Sequence, residues 1–185
     1  RQRRGIVKDG LFKTILYTIL GIGIMTALMT LTSITTPIEG VYIQLAYGYL
    51  ALFAGVAGAI PAAIVGFTGH VLFDLIYTDH LWLSWALSSG ALGFVFGFAI
   101  RRNSLRQGVF SQHDMIRFNV VQAVVNIAIF GLIAPTLDVL FYQQSTTIVF
   151  TQGWIASIVN LLTVAVFGTI TLKLYANYKL KQNKQ

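Results

Sequence analysis

The chain has 185 residues, of which 10% are charged and 56% hydrophobic, with a mean hydropathy of +0.72 and a net charge of +7. A soluble domain of this size carries about a quarter charged residues, so the composition excludes one and fits several membrane spans with no separate soluble domain. Cysteine is absent, which excludes disulfides and thiolate metal sites.

The positive charge is segregated. All 13 basic residues fall into three groups: Arg1, Arg3, Arg4, Lys8 and Lys13; Arg101, Arg102, Arg106 and Arg117; and Lys173, Lys179, Lys181 and Lys184. The positive-inside rule places all three in the cytoplasm. The basic character is therefore topological, and no nucleic-acid partner is expected.

A span needs about 20 apolar residues. The first run, 11–34, leads outward and contains Gly21, Gly23 and Ala27. Gly23 and Ala27 form a small-xxx-small pair, which serves either internal packing or docking of another subunit. A turn-rich segment through Pro37, Glu39 and Gly40 follows, and a second span, 41–58, enters through Gln44 and Tyr47. Gly58 to Pro61 is expected as an uncharged cytoplasmic turn before a third span, 62–77.

The stretch GFTGHVLFDLIYTDHLWLSW, residues 66–85, sets His70 and Asp74 inside an apolar run. On a helix these two are i and i+4, about 40° apart, and share one face. Ionisable groups within a membrane normally face a protein interior or cavity and mark functional candidates. The alternative is that the two bond each other and pin helices together. Asp79 and His80 fall in a short outer turn, and no metal site is expected from them.

The fourth span, 82–100, opens with Trp82 and Trp85 at i, i+3 and carries a second glycine seam, Gly93 and Gly97. Trp82 suits an interfacial belt, whereas Trp85 lies nearly a turn deeper. In the basic loop, Ser111 to Asp114 reads as a capping box opening the fifth helix, with His113 in the loop. The fifth span, 114–134, places Asn119, Gln122 and Asn126 on one stripe that must face protein. Pro135 is expected to break that helix and leave Asp138 in an outer segment. A sixth span, 148–172, carries Gln152, Trp154 and Asn160. The expected fold is thus an all-α membrane protein of six transmembrane helices forming one domain, with both termini cytoplasmic.

No nucleotide-binding loop, HExxH helix or GxSxG turn is present. The outer half instead gathers Gln44, Tyr47, Asp74, Trp85, Asn126, Asp138 and Gln152, a few polar groups among apolar and aromatic ones, as small-molecule sites are built.

Six blocks carry a family resemblance: IQLAYGYLALFAG (43–55), GFTGHVLFD (66–74), WLSWALSSG (82–90), FNVVQAVVN (118–126), APTLD (134–138) and the region 152–160. In order and topology they resemble the S components of energy-coupling factor (ECF) vitamin transporters, closest to a branch linked to hydroxymethylpyrimidine, the thiamine precursor. The resemblance implies an S-component bundle without catalytic activity or cofactor, in complex with a transmembrane coupling subunit and two cytoplasmic ATPases. The substrate contacts expected from the polar and aromatic residues of these spans are Gln44, Tyr47, His70, Asp74, Trp82, Trp85, Asn126, Asp138 and Gln152. Small residues of the first helix, here Gly21, Gly23 and Ala27, would dock the coupling subunit. Pyridoxine or another ring vitamin is the alternative substrate. Readings of another class are a non-transporting assembly protein and an intramembrane enzyme using His70 and Asp74.

Overall fold

A computed structural model describes the backbone of residues 2–78 and 80–185, and side chains from Gly10 onward. Asp79, Arg1 and the side chains of Arg3, Arg4 and Lys8 lie outside the described residues. The first helix, α1 (Gln2–Leu31), is apolar from Gly10 to Leu31. Its threonines do not break it, because Thr14, Thr18, Thr26 and Thr30 donate back to carbonyls four residues earlier at 2.7–2.9 Å. A hydroxyl satisfied inside its own helix tolerates lipid.

The expected first and second spans, 11–34 and 41–58, do not meet as two helices. Strand β1 (Ile34–Thr35) pairs antiparallel with β2 (Tyr42–Ile43), Ile34 opposite Ile43 and Thr35 opposite Tyr42. The β-branched and aromatic side chains at these positions favour that short hairpin over helix. Helix α2 (Ala46–Ala57) therefore starts late, and Gln44 lies between hairpin and helix. The turn expected over Gly58–Pro61 contracts to Gly58 alone, whose φ of 98° suits glycine. Pro61 sits in the first turn of α3 (Ala59–Phe73), where its missing donor is not needed. Arg102 Nε and Arg106 Nη2 donate to Val56 O at 3.0 and 3.3 Å, a cationic cap on the end of α2.

Helix α3 runs on through a π-helical turn, Asp74–Thr78, and packs closely against α4 (Leu83–Ala99). Side chains added at Gly93 and Gly97 would strike backbone at Ala62 and Ala59, so this seam joins α3 to α4. Short helix α5 (Arg102–Arg106) occupies the basic loop. Helix α6 (Gln112–Asn126) opens on the expected capping box, Ser111 with Asp114, and His113 belongs to its first turn rather than to the loop.

Pro135 does not break the fifth helix. A π-helical stretch, Ile127–Ile133, leads straight into α7 (Ala134–Tyr142), giving one continuous helix from Gln112 to Tyr142. The wider turn before Pro135 relieves the clash between its ring and the carbonyl four residues back. Asp138, expected in an outer segment, is consequently a buried helical residue. The last helix combines α8 (Thr146–Thr163), a π-helical turn at Val164–Gly168 and α9 (Thr169–Gln182).

Among the described residues, four helices are long and apolar enough to cross a membrane: Gly10–Leu31, Ala59–Thr78, Gln112–Tyr142 and Thr146–Gln182. The shorter apolar helices α2 and α4 complete an all-α membrane bundle. Large apolar side chains such as Phe12, Phe98 and Phe141 are exposed on its outside, where lipid is the solvent. Its interior is built on Met25, Tyr47, Leu50, Phe96, Phe118 and Phe130.

Candidate functional site

At the end of the bundle away from the arginine loop lies a cavity of about 660 Å³. The hairpin, the starts of α2, α4 and α8, the end of α3 and the middle of the Gln112–Tyr142 helix all contribute to its wall. Of the expected contact residues, Gln44, Tyr47, His70, Asp74, Trp82, Trp85, Asp138 and Gln152 line it.

His70 and Asp74 share a face as their spacing predicts, with His70 Nε2 3.5 Å from Asp74 Oδ1. The other ring nitrogen, Nδ1, lies 2.7 Å from Ser89 Oγ and 3.3 Å from Tyr47 OH, and those two hydroxyls are 2.8 Å apart. One polar network thus ties α2, α3 and α4 together, and Tyr47, His70 and Asp74 of it face the cavity. Ser89 is fully buried and outside the cavity wall, so the Asp74–His70–Ser89 chain presents no accessible nucleophile. Asp74 Oδ2 accepts the Trp82 backbone N–H at 2.9 Å, which fixes the start of α4 against the end of α3.

Asp138 holds the facing wall. It accepts from the Ser84 hydroxyl and, at 2.7 Å, from Trp85 Nε1. The Trp85 ring leans on Phe130 with centroids 5.6 Å apart, and Phe130 meets Tyr47 edge-on at 5.5 Å. Trp82 packs on Tyr142, whose hydroxyl accepts the Leu83 N–H. Gln152 Nε2 donates to Glu39 O at 2.9 Å, joining α8 to the hairpin loop. Gln44 Oε1 lies 3.5 Å from Ser33 Oγ.

Asn126 does not line the cavity. Its amide donates to Gln122 O and Oε1 at 2.9 and 3.0 Å, within a ladder that continues from Gln122 to Leu161 O and from Asn119 to Thr169. This stripe faces protein, as expected, and joins α6 to the last helix. Among the small residues of α1, Gly21 packs inward, where an added Cβ would come within 2.6 Å of Phe53. Gly23 and Ala27 are exposed, and nothing lies within 4 Å of a Cβ built on Gly23.

Several wall residues were not anticipated. Tyr42, Phe73 and Tyr77 form an aromatic cluster, with Phe73 and Tyr77 stacked at 5.1 Å and 19° and Tyr42 edge-on to both. Phe73 and Tyr77 stand i, i+4 around Asp74, a spacing visible in the chain. Asn160, 5% exposed, completes a stripe with Gln152 and Ala156 at i, i+4, i+8 on the cavity side of α8.

The family model described as "ECF-type riboflavin transporter, S component" matches residues 11–177. A UPF0397 protein of Lactococcus lactis subsp. cremoris strain SK11 is 42% identical over 175 residues, covering 95% of this chain and 93% of that protein. UPF0397 proteins of Enterococcus faecalis and Clostridium perfringens are 39% and 37% identical over 169 residues, each covering 89% of this chain and 92% and 91% of their own. No solved structure matches. With the family match running through nearly the whole chain, and a membrane bundle holding a polar, aromatic cavity beside it, the chain belongs to the ECF-type riboflavin transporter S component family.

Proposed function

We propose that the chain is the solute-binding subunit of an ATP-driven uptake transporter and that it binds hydroxymethylpyrimidine from the outer side of the membrane. It crosses the bilayer six times as one domain, with both termini cytoplasmic, and the segregation of its lysines and arginines supports this orientation. ATP hydrolysis belongs to two cytoplasmic ATPase subunits, joined to this chain by a transmembrane coupling subunit that docks on Gly23 and Ala27.

The observation that carries the reading is the cavity of about 660 Å³ with Asp74, Asp138 and Trp85 on its wall. That volume suits a small-molecule ligand. Its aromatic surfaces suit a flat ring, and its carboxylates suit ring-borne amine donors. Riboflavin, named in the family's description, is the second reading, because the volume also accommodates a larger ring system.

Mass spectrometry of molecules retained by the purified subunit, followed by titration with hydroxymethylpyrimidine, pyridoxine and riboflavin, tests this. Hydroxymethylpyrimidine should bind tightest. Tighter binding of riboflavin or pyridoxine would replace the substrate, and binding of none would remove the transport reading.

A further inference from the structure

Hydroxyls in the spans of this chain commonly bond within their own helix. Thr14, Thr18, Thr26, Thr30 and Ser88 each donate to the carbonyl four residues back. Ser89 does not. Fully buried on α4, it bonds across the bundle, with Oγ 2.7 Å from His70 Nδ1 on α3 and 2.8 Å from Tyr47 OH on α2. Gly66 allows this reach, because a Cβ at that position would strike Ser89 O and hold α3 and α4 apart. Phe73, edge-on to the His70 ring at 6.0 Å, packs against the imidazole.

Tyr47 OH, Ser89 Oγ and His70 Nδ1 form a closed triangle whose third side is 3.3 Å. Among the described residues, these two hydroxyls have no other hydrogen-bond partner. Both hydroxyl protons must therefore be accepted inside the triangle. With Nδ1 bare, Tyr47 donates to Ser89 and Ser89 donates to Nδ1, and each proton has its acceptor. With a proton on Nδ1 the nitrogen no longer accepts, and every ordering strands one hydroxyl proton in a buried site. A neutral imidazole that is bare at Nδ1 carries its proton on Nε2. Nε2 is turned toward Asp74 Oδ1 at 3.5 Å, longer than an ordinary N–H···O bond.

Resting on the solute-binding reading above, we infer that Ser89 is a positioning residue: with Tyr47 it fixes His70 as the Nε2–H tautomer, so that the cavity wall presents a donor beside the Asp74 carboxylate to an acceptor atom of the bound solute. Ser89 lies outside the wall and acts only through the imidazole. The opposite tautomer would leave His70 and Asp74 as two acceptors side by side, with no donor between them.

Nitrogen-15 NMR of the purified full-length subunit, labelled at histidine, reads the tautomer, and His70→Gln identifies the His70 signals. The wild type should show a bare Nδ1 that accepts a hydrogen bond and a protonated Nε2. In Ser89→Ala the nitrogen keeps only the 3.3 Å contact with Tyr47. Its signal should move toward that of an unbonded ring nitrogen, and affinity for hydroxymethylpyrimidine should fall by about three- to tenfold. Ser89→Thr keeps the hydroxyl and should retain the wild-type signals. A serine that merely packs would change the melting temperature of Ser89→Ala and leave the Nδ1 signal in place. A proton on Nδ1 in the wild type, or an unchanged Nδ1 signal or affinity in a folded Ser89→Ala, overturns the inference while leaving solute binding intact. If Ser89→Ala does not fold, Tyr47→Phe takes its place. It frees Ser89 to accept from Nδ1, so both tautomers should appear, and the wild-type tautomer alone overturns the inference. A wild-type protein that binds none of hydroxymethylpyrimidine, pyridoxine and riboflavin removes the solute-binding reading, and the role given to Ser89 with it.

Discussion

Trp85 Nε1 donates to Asp138 Oδ2 at 2.7 Å, a bond that crosses 53 positions of sequence and joins α4 to α7 on the cavity wall. The carboxylate therefore holds an indole in place, and its second oxygen holds Ser84. Asp138→Asn keeps the shape but surrenders one acceptor and the charge. A hydrogen bond to a charged group contributes about 1.5–3 kcal/mol. The variant should lose roughly tenfold or more in affinity for hydroxymethylpyrimidine, with a shifted Trp85 emission spectrum. An unchanged spectrum and affinity would show that the indole needs no anchor.

Asp74 gives the complementary case. Its Oδ2 is taken by the Trp82 N–H, and its Oδ1 is turned toward His70 at the cavity. Asp74→Asn should lose about ten- to hundred-fold in solute affinity while the protein still folds. If the pair merely pins helices, the same variant will instead melt early and bind normally once folded. Titration beside a melting curve separates the two patterns.

The two faces of α1 predict opposite outcomes. Gly21→Leu should destabilise the subunit, because Phe53 and Val65 already occupy the space, and overpacking costs about 1–3 kcal/mol. Gly23→Leu and Ala27→Leu meet open surface and should leave folding and solute binding intact while weakening co-purification with the coupling subunit. Normal co-purification and uptake in both variants would return this face to lipid contact.

Orientation can be read from single cysteines, since the chain has none. Asn103→Cys in α5 and Ser145→Cys before α8 are both at exposed positions. In intact cells an impermeant thiol reagent should label the cysteine at 145 and spare the one at 103. Labelling at 103 would overturn the six-span topology.

Features confined to one helix were legible in the chain: the His70–Asp74 pairing, the capping box from Ser111 to Asp114, and the inward amide stripe of α6. Each depends on spacing alone. What failed depended on other elements. Pro135 ordinarily ends a helix, and only the π-helical stretch before it lets the helix continue. That continuation carried Asp138 from an expected loop to a buried position against Trp85. Asn126 and Asn160 read alike in sequence, each an amide in an apolar span. Which one meets the cavity depends on how α6 and α8 are rotated against their neighbours, and that is set by packing. The aromatic cluster was hidden because Tyr42 reaches Phe73 and Tyr77 from the hairpin.

The shortness of α2 explains why there is a cavity at all. Most residues of this helix, Ala46–Ala57, are buried, and the four candidate membrane spans of the bundle are all longer than it. Its 12 residues rise about 18 Å where the hydrocarbon layer is about 30 Å, so roughly 12 Å of axial length remains unfilled. Tyr47 in its first turn and residues 39–42 of the preceding hairpin line the cavity at this end. The binding space is a missing stretch of rod, and the surrounding helices need not part to create it. One more helical turn ahead of Ala46 would plug it.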